Sequence, residues 1–173
     1  SIELLHSLEM LKVKHRDIEV TEVGNFCNQL PLSIKASVSL YKWIQLKMPI
    51  FPGICTMCVI DCFYPSYFYY PKNNTDIKSI YNKYFQKYST STDVGTFINM
   101  CLHIFEHFKK FNLTTDELRD YCIENSLNNQ KISELISTIT QVINICVQLK
   151  YDIKIGSFSI DNVLDIMILI LKN

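Results

Sequence analysis

The sequence predicts a mainly α-helical fold, one domain with a small appendage, on three observations. Apolar residues recur at helical spacing in segment after segment, most regularly Ile132, Leu135, Ile136, Ile139, Val142, Ile143, Cys146 and Leu149. Four glycines and five prolines leave too few tight turns for an all-β fold. A hydrophobic content of 48% over 173 residues supplies a sizeable core and excludes a disordered chain.

Each element follows in order. Ile2, Leu5, Leu8 and Leu11 repeat at helical spacing, and Lys12 to Arg16 reads as a short basic turn before the β-favouring Ile18 and Val20. Thr21 is placed to cap a second helix that ends at Leu30-Pro31-Leu32, because proline disfavours the helical region for the residue before it. Helix, turn, short strand and helix together make the back half of a winged-helix unit. Ser33 caps the next helix, expected over about 33–47, with Ala36, Leu40, Trp43, Ile44 and the stem of Lys47 on its apolar face. Met48 to Pro52 reads as a two-proline break, and the almost wholly apolar run 53–64 as a helix buried on most sides.

A tyrosine-crowded loop fills 65–74. Asp76 is placed to cap a helix carrying Ile77, Ile80, Tyr81, Tyr84 and Phe85 on one side. Thr92 and Asp93 start a long helix in which Val94, Phe97, Ile98, Cys101, Leu102, Phe105 and Phe108 keep the rhythm. Thr114 and Glu117 have the capping-box spacing, and their helix is expected to reach about Glu124. The strongest periodicity spans 128–150. Gly156 then breaks the chain, and Ser159 or Asp161 caps a final buried helix, since the apolar run 163–171 contains Asp165 and falls far short of the ~20 residues of a bilayer span.

Charge and cysteine usage bound the function. Seventeen basic residues balance seventeen acidic ones, so no net field draws in a polyanion, and any nucleic-acid contact must be local. Seven cysteines, an odd count spread through apolar runs, fit an intracellular, reducing compartment. The Ile, Asn, Lys and Tyr bias is that of an AT-rich coding sequence, as in large DNA viruses or parasites; a viral origin would put the protein in host cytoplasm or virion. Ser1 opens the chain mid-pattern, as expected of a piece of a longer protein.

Two motifs carry metal chemistry in other settings. Cys55, Cys58 and Cys62 include a Cys-x-x-Cys, but they lie at i, i+3 and i+7 inside an apolar helix with no second pair following, so core packing is the expectation. His103-x-x-Glu106-His107 matches the inverted zinc-peptidase pattern, yet of the glutamates only Glu117, Glu124 and Glu134 follow it and Phe105 and Phe108 point the core away from the histidines. No metal is therefore expected. The four glycines are isolated, so this span carries no glycine-rich phosphate loop and no expected cofactor or catalytic residue.

Six motifs in order and register resemble the C-terminal winged-helix and helicase-associated (ratchet) region of DEAH/DExH-type RNA helicases. Leu5, Leu8 and Leu11 resemble the family's opening Leu-x-x-Leu-x-x-Leu, and Thr21 and Gly24 its Thr-x-x-Gly. Leu30-Pro31-Leu32 with Lys35 is similar to Leu-Pro-Leu-x-x-Arg. Phe68-Tyr69-Tyr70-Pro71-Lys72 looks like Phe-Tyr-Arg-Pro-Lys, Asp93 and Asn99 fall on the Ser-Asp-His-Leu-x-Leu-Leu-Asn helix, and Tyr121-Cys122-Ile123-Glu124-Asn125 resembles Trp-Cys-x-Glu-Asn. Val94, Gly95 and Gln130 stand where the family has histidine, leucine and arginine. With the compositional bias, the likeness is greatest to a viral branch such as the poxvirus NTP-dependent RNA helicases.

The resemblance implies the end of a winged helix over 1–30, a helicase-associated bundle over 31–150 and a C-terminal helix packing on it over 151–173. It implies partners as well: RecA-like domains of the same protein, which would bind ATP or another NTP with Mg, and single-stranded RNA, or alternatively DNA, but no membrane. Lys35, Lys72, Asn99, Asn128 and Gln130 are the candidate strand contacts, and the rings of 67–70 could stack on bases. The competing classes are a self-contained all-helical interaction module resembling the Bcl-2-like proteins of poxviruses and, third, the zinc peptidase.

Overall fold

A computed structural model of the chain describes residues 2–14, 17–62, 77–88, 93–111 and 115–154. Among these the fold is mainly helical, with one small sheet. The order is α1 (Ile2–Ser7), β1 (Leu11–Lys14), β2 (Asp17–Val20), α2 (Glu22–Gln29), α3 (Ile34–Gln45), α4 (Ile50–Asp61), α5 (Ile77–Tyr88), α6 (Asp93–Phe111), α7 (Thr115–Glu124) and α8 (Asn129–Gln148).

The first departure from expectation is at Leu11. The helical spacing of Ile2, Leu5 and Leu8 stops at Ser7; Glu9 adopts φ 59° and turns the chain, and Leu11 begins a strand. Lys12 and Lys14, expected in a turn, belong to that strand, which pairs antiparallel with β2 in the register Leu11↔Val20 and Val13↔Ile18. A β-branched partner strand overrides the helical pattern, because the ladder satisfies backbone groups that so short a helix leaves open.

Thr21 shows why Thr-x-x-Gly reads as it does. Its Oγ1 accepts from the Gly24 N–H at 3.1 Å, capping α2, and donates to the Glu9 carbonyl at 2.6 Å, tying the helix to the turn before the hairpin. Gly24 lets α2 lie on that turn. A Cβ there would come within 2.4 Å of the Met10 carbonyl oxygen and 2.7 Å of Val20 Cγ1.

Leu30-Pro31-Leu32 separates α2 from α3 as expected. Leu30 is extended, with ψ 139°, and Ser33 caps α3 by accepting from the Ala36 N–H, while the Asp61 carboxylate accepts from Ser33's own N–H at 3.0 Å. Ala36, Leu40 and Trp43 are buried and Ile44 is half-buried; Lys47 is exposed beyond the helix at φ 56° and adds nothing to that face. The two-proline break is shorter than expected. Pro49 is the N-cap of α4, and Pro52 sits in its first turn, where the missing N–H has no helical partner to lose.

Helix α4 is the axis of the core. Phe51 to Val59 are all buried, and α3, α6 and α8 pack around them. Trp43 lies against Gly53, where an added Cβ would meet the indole at 2.7 Å, and its Nε1 donates to the Pro49 carbonyl at 2.8 Å. Phe51 meets Phe105 of α6 at 5.3 Å between ring centroids. The stripe on α8 buries Ile132, Leu135, Ile139, Val142 and Cys146, with Ile136, Ile143 and Leu149 at its margin. On α6, Phe97, Ile98, Cys101, Leu102 and Phe105 are buried as the rhythm predicts, joined by Met100 and Ile104.

Several expectations lie outside the described residues: the aromatic loop 65–74 with Lys72, the caps at Asp76 and Thr114, the side chains of Val94 and Phe108, and the final helix with its apolar run 163–171. No helix among the described residues is long and apolar enough to cross a membrane.

Candidate nucleic-acid interface

The corner between α7 and α8 gathers the most site chemistry. Helix α7 closes on Asn125, whose backbone N–H and side-chain amide both donate to the Tyr121 carbonyl, at 3.1 and 2.8 Å. Ser126 then takes a left-handed conformation, φ 53°, and the Leu127 N–H reaches the Cys122 carbonyl at 2.8 Å. With Leu127 and Cys122 buried, this turn is fastened to the core from below. The Tyr121-to-Asn125 motif is thus a helix terminus and its plug.

Asn128 begins α8. Its Oδ1 accepts from the Lys131 N–H at 3.2 Å and its carbonyl from Ile132 N–H at 2.9 Å. A helix of 20 residues therefore presents its positive end at this corner. A pocket of about 480 Å³ opens there, lined by Arg119, Cys122, Ile123, Asn128, Asn129 and Gln130 among others. Arg119 supplies an exposed cation, and the buried Oδ1 of Asn129 has no hydrogen-bond partner among the described residues. An acceptor so placed has capacity for an outside donor.

Gln130 is tied sideways. Its Nε2 donates to Glu134 Oε1 at 3.1 Å, and Lys131 Nζ meets Glu134 Oε2 at 2.7 Å. The Lys131 hydrogen bond, then that of Gln130, holds the exposed Glu134 carboxyl below its ordinary value, so Lys131's charge is largely matched within the helix.

The remaining candidates are scattered. Asn99 is half-buried on α6 and its amide donates to the Tyr88 carbonyl at 3.3 Å, closing the end of α5. Lys35 stands exposed on the first turn of α3 and does not line the pocket. Lys72 is outside the described residues. Of the residues the sequence pattern singles out, Asn128 and Gln130 thus come together, and Arg119 joins them without having been singled out. The signal for Arg119 is slight: it is one of only two arginines and stands two residues before Tyr121.

The metal motifs resolve differently. Cys55 and Cys58 are fully buried in α4 and Cys62 is half-buried at its end; burial pushes the Cys58 thiol well above its ordinary value. His103 is exposed on α6, 3.4 Å from the Tyr88 hydroxyl through Nδ1, with the ring edge-on to the tyrosine. Tyr121 in turn hydrogen-bonds Tyr88, and burial raises its phenol to about 12. The side chains of Glu106 and His107 are outside the described set. Among the described residues no three His, Cys, Asp or Glu side chains are grouped to hold a metal ion.

No family model matches the chain. A protein of Acanthamoeba polyphaga mimivirus described as uncharacterized is 22% identical over 164 residues, a match that takes in 89% of this chain and 22% of that protein. The chain thus spans about a fifth of the length of this viral relative.

Proposed function

We propose that this chain is the accessory C-terminal region of an NTP-dependent DExH-type RNA helicase, combining the end of a winged helix with a strand-holding helical bundle. The pocket at the α7–α8 corner carries the reading. Asn128 and Gln130, two of the residues that the family likeness singles out on sequence alone, line it together with Arg119. A guanidinium beside the positive end of α8 suits a backbone phosphate, and the unpaired Asn129 oxygen suits a donor from a ribose or base. The helix, hairpin and helix over residues 2–29 are compatible with the back half of a winged helix. In the viral relative the matched part is 22% of the whole, which leaves length for two RecA-like domains.

The mechanism is one of division of labour. Motor domains elsewhere hydrolyse the nucleotide, with Mg, while this region grips the emerging strand so that their motion becomes translocation. Contacts of this kind read phosphate and single-strandedness rather than sequence.

The test is the double substitution Arg119→Ala with Gln130→Ala, both exposed and off the apolar stripes. Titrating labelled single-stranded RNA with the chain should show binding that weakens with salt, and in the variant a slope shallower by about 0.7 for each phosphate that is no longer neutralised. In the longer protein, the same pair should lower unwinding while most NTP hydrolysis remains. Equal strand affinity and equal unwinding in variant and parent overturn the reading.

A further inference from the structure

Helix α2 carries three carboxamides, and only one of them is engaged. The Gln29 Nε2 donates to the Asn25 carbonyl at 3.1 Å, while the side chains of Asn25 and Asn28 have no hydrogen-bond partner among the described residues. Both are exposed. Three residues apart on a helix, they are surface neighbours at about 5–6 Å.

They border a groove. A cavity of about 540 Å³ opens between α2 and the hairpin, with Leu5, Met10, Leu11, Val20, Cys27 and Leu30 among its lining and Asn25 and Asn28 as the polar side chains. Among the described residues no charged side chain lines it. Residues paired across an antiparallel ladder, and those two apart along a strand, share a side of the sheet. The register therefore puts Leu11, Val13, Ile18 and Val20 on one face of the hairpin, and two of these four belong to the groove as well. Val13, Ile18 and Val20 are 53, 52 and 55% exposed, so the apolar surface continues outward from the cavity.

This lining selects an occupant. A carboxamide offers an acceptor oxygen and two N–H donors, the complement of a peptide group. Two of them about 5–6 Å apart come near the two-residue repeat of an extended strand, roughly 6.4–6.8 Å, so both can bond one edge of it. A helical ligand satisfies its backbone groups internally and leaves both carboxamides unanswered. The uncharged walls exclude a charged side chain, which would shed its hydration with nothing to pair against. A second folded copy is too large: a stable pair of folded surfaces hides about 800 Å² on each side. The cavity instead has the size of sites that enclose one small ligand, about 300–1,000 Å³.

We propose that the groove between the hairpin and α2 is a docking site for an extended, uncharged segment of a partner protein. Asn25 and Asn28 hold the segment's backbone, and its aliphatic side chains, at alternate positions, meet the apolar floor and the hairpin face. The site is separate from the α7–α8 corner and does not rest on strand binding there.

Fluorescence anisotropy tests this with a labelled peptide of alternating valine and serine, capped by acetyl and amide groups. The expected result is saturable binding to the full chain, indifferent to salt. Asn25→Ala with Asn28→Ala should weaken it at least tenfold in a chain no less stable than the parent, since alanine is the better helix former at both positions. Methylated peptide nitrogens separate a backbone contact from apolar adhesion. Methylation along one edge of the strand should abolish binding, and along the other edge leave it intact. No binding at millimolar peptide, equal binding by the doubly substituted chain, or indifference to which edge is methylated overturns the proposal. Displacement of the peptide by single-stranded RNA, or a dimer of the chain that the two asparagine substitutions dissolve, overturns it too.

Discussion

Asn128 is asked to do two things at once, and two substitutions separate them. Replacing it with alanine removes the side-chain oxygen that accepts from the Lys131 N–H. Losing such a cap costs about 0.5–2 kcal/mol. At about 2–4 °C per kcal/mol for a chain of this size, the melting temperature should fall by roughly 1–8 °C. Aspartate caps as well as asparagine and its charge favours the positive end of α8, so Asn128→Asp should melt within about 0.5 kcal/mol of the parent. It also puts a negative charge at the mouth of the pocket, beside Arg119. At about 4 Å in water, one added charge repels a phosphate by about 1 kcal/mol, or about fivefold in affinity. The assays are thermal and urea melts by far-UV circular dichroism, and anisotropy of labelled single-stranded RNA at low salt. An alanine variant as stable as the parent refutes the cap. An aspartate variant that is stable and binds RNA equally well refutes the strand contact, whatever the alanine variant does.

Other expectations follow from the packing. Gly24→Ala forces a methyl group into the Met10 carbonyl, a backbone atom that has no rotamer to give. It should cost about 1–3 kcal/mol, read as a lower urea midpoint at unchanged slope. Thr56 is fully buried, and its hydroxyl has no hydrogen-bond partner among the described residues, so Thr56→Val should be neutral or stabilise by about 1 kcal/mol in the same melts, and a loss of more than that would reveal a hidden partner. Leu135→Ala, in the buried α8 stripe, should cost about 2–5 kcal/mol. The thiols of Cys27, Cys122 and Cys146 are pushed up by burial from 9.0 to about 11. The unfolded chain therefore ionises them first, and their contribution to stability, full below pH 9, should drain away between pH 9 and 11; urea midpoints measured across that window check it.

What the sequence makes legible here is what is local. Thr21 and Ser33 cap because a hydroxyl one residue before a helix reaches the N–H groups of its first turn, whatever lies further off. The stripe of α8, and that of α6 from Phe97 to Phe105, are read correctly for the same reason: each helix needs only one face to find the core. Leu11 is misread because its fate is set by β2 across the ladder, and Lys47 because a left-handed turn ends α3 two residues early. Pro52 is misread through position, since the same ring that breaks a helix interior is harmless in a first turn. The side chains picked by family likeness are harder still. Asn99 and Asn128 each have a job in holding a helix end that no pattern of residue types reveals, and Arg119 enters only when α7 and α8 meet.

Trp43 gives the molecule a built-in optical reporter. It is the sole tryptophan, fully buried, with its indole N–H bonded to the Pro49 carbonyl and its face held against Gly53. Intrinsic emission excited at the indole band therefore samples the seam between α3 and α4 and nothing of the hairpin or the α7–α8 corner. The native spectrum should lie well to the blue of free indole in water and shift red when that seam opens. Events at the hairpin or at the α7–α8 corner, strand binding included, should pass without changing its colour. Two signals followed together, indole emission for the seam and backbone dichroism for the whole, would tell whether bundle and hairpin come apart in one step or in two.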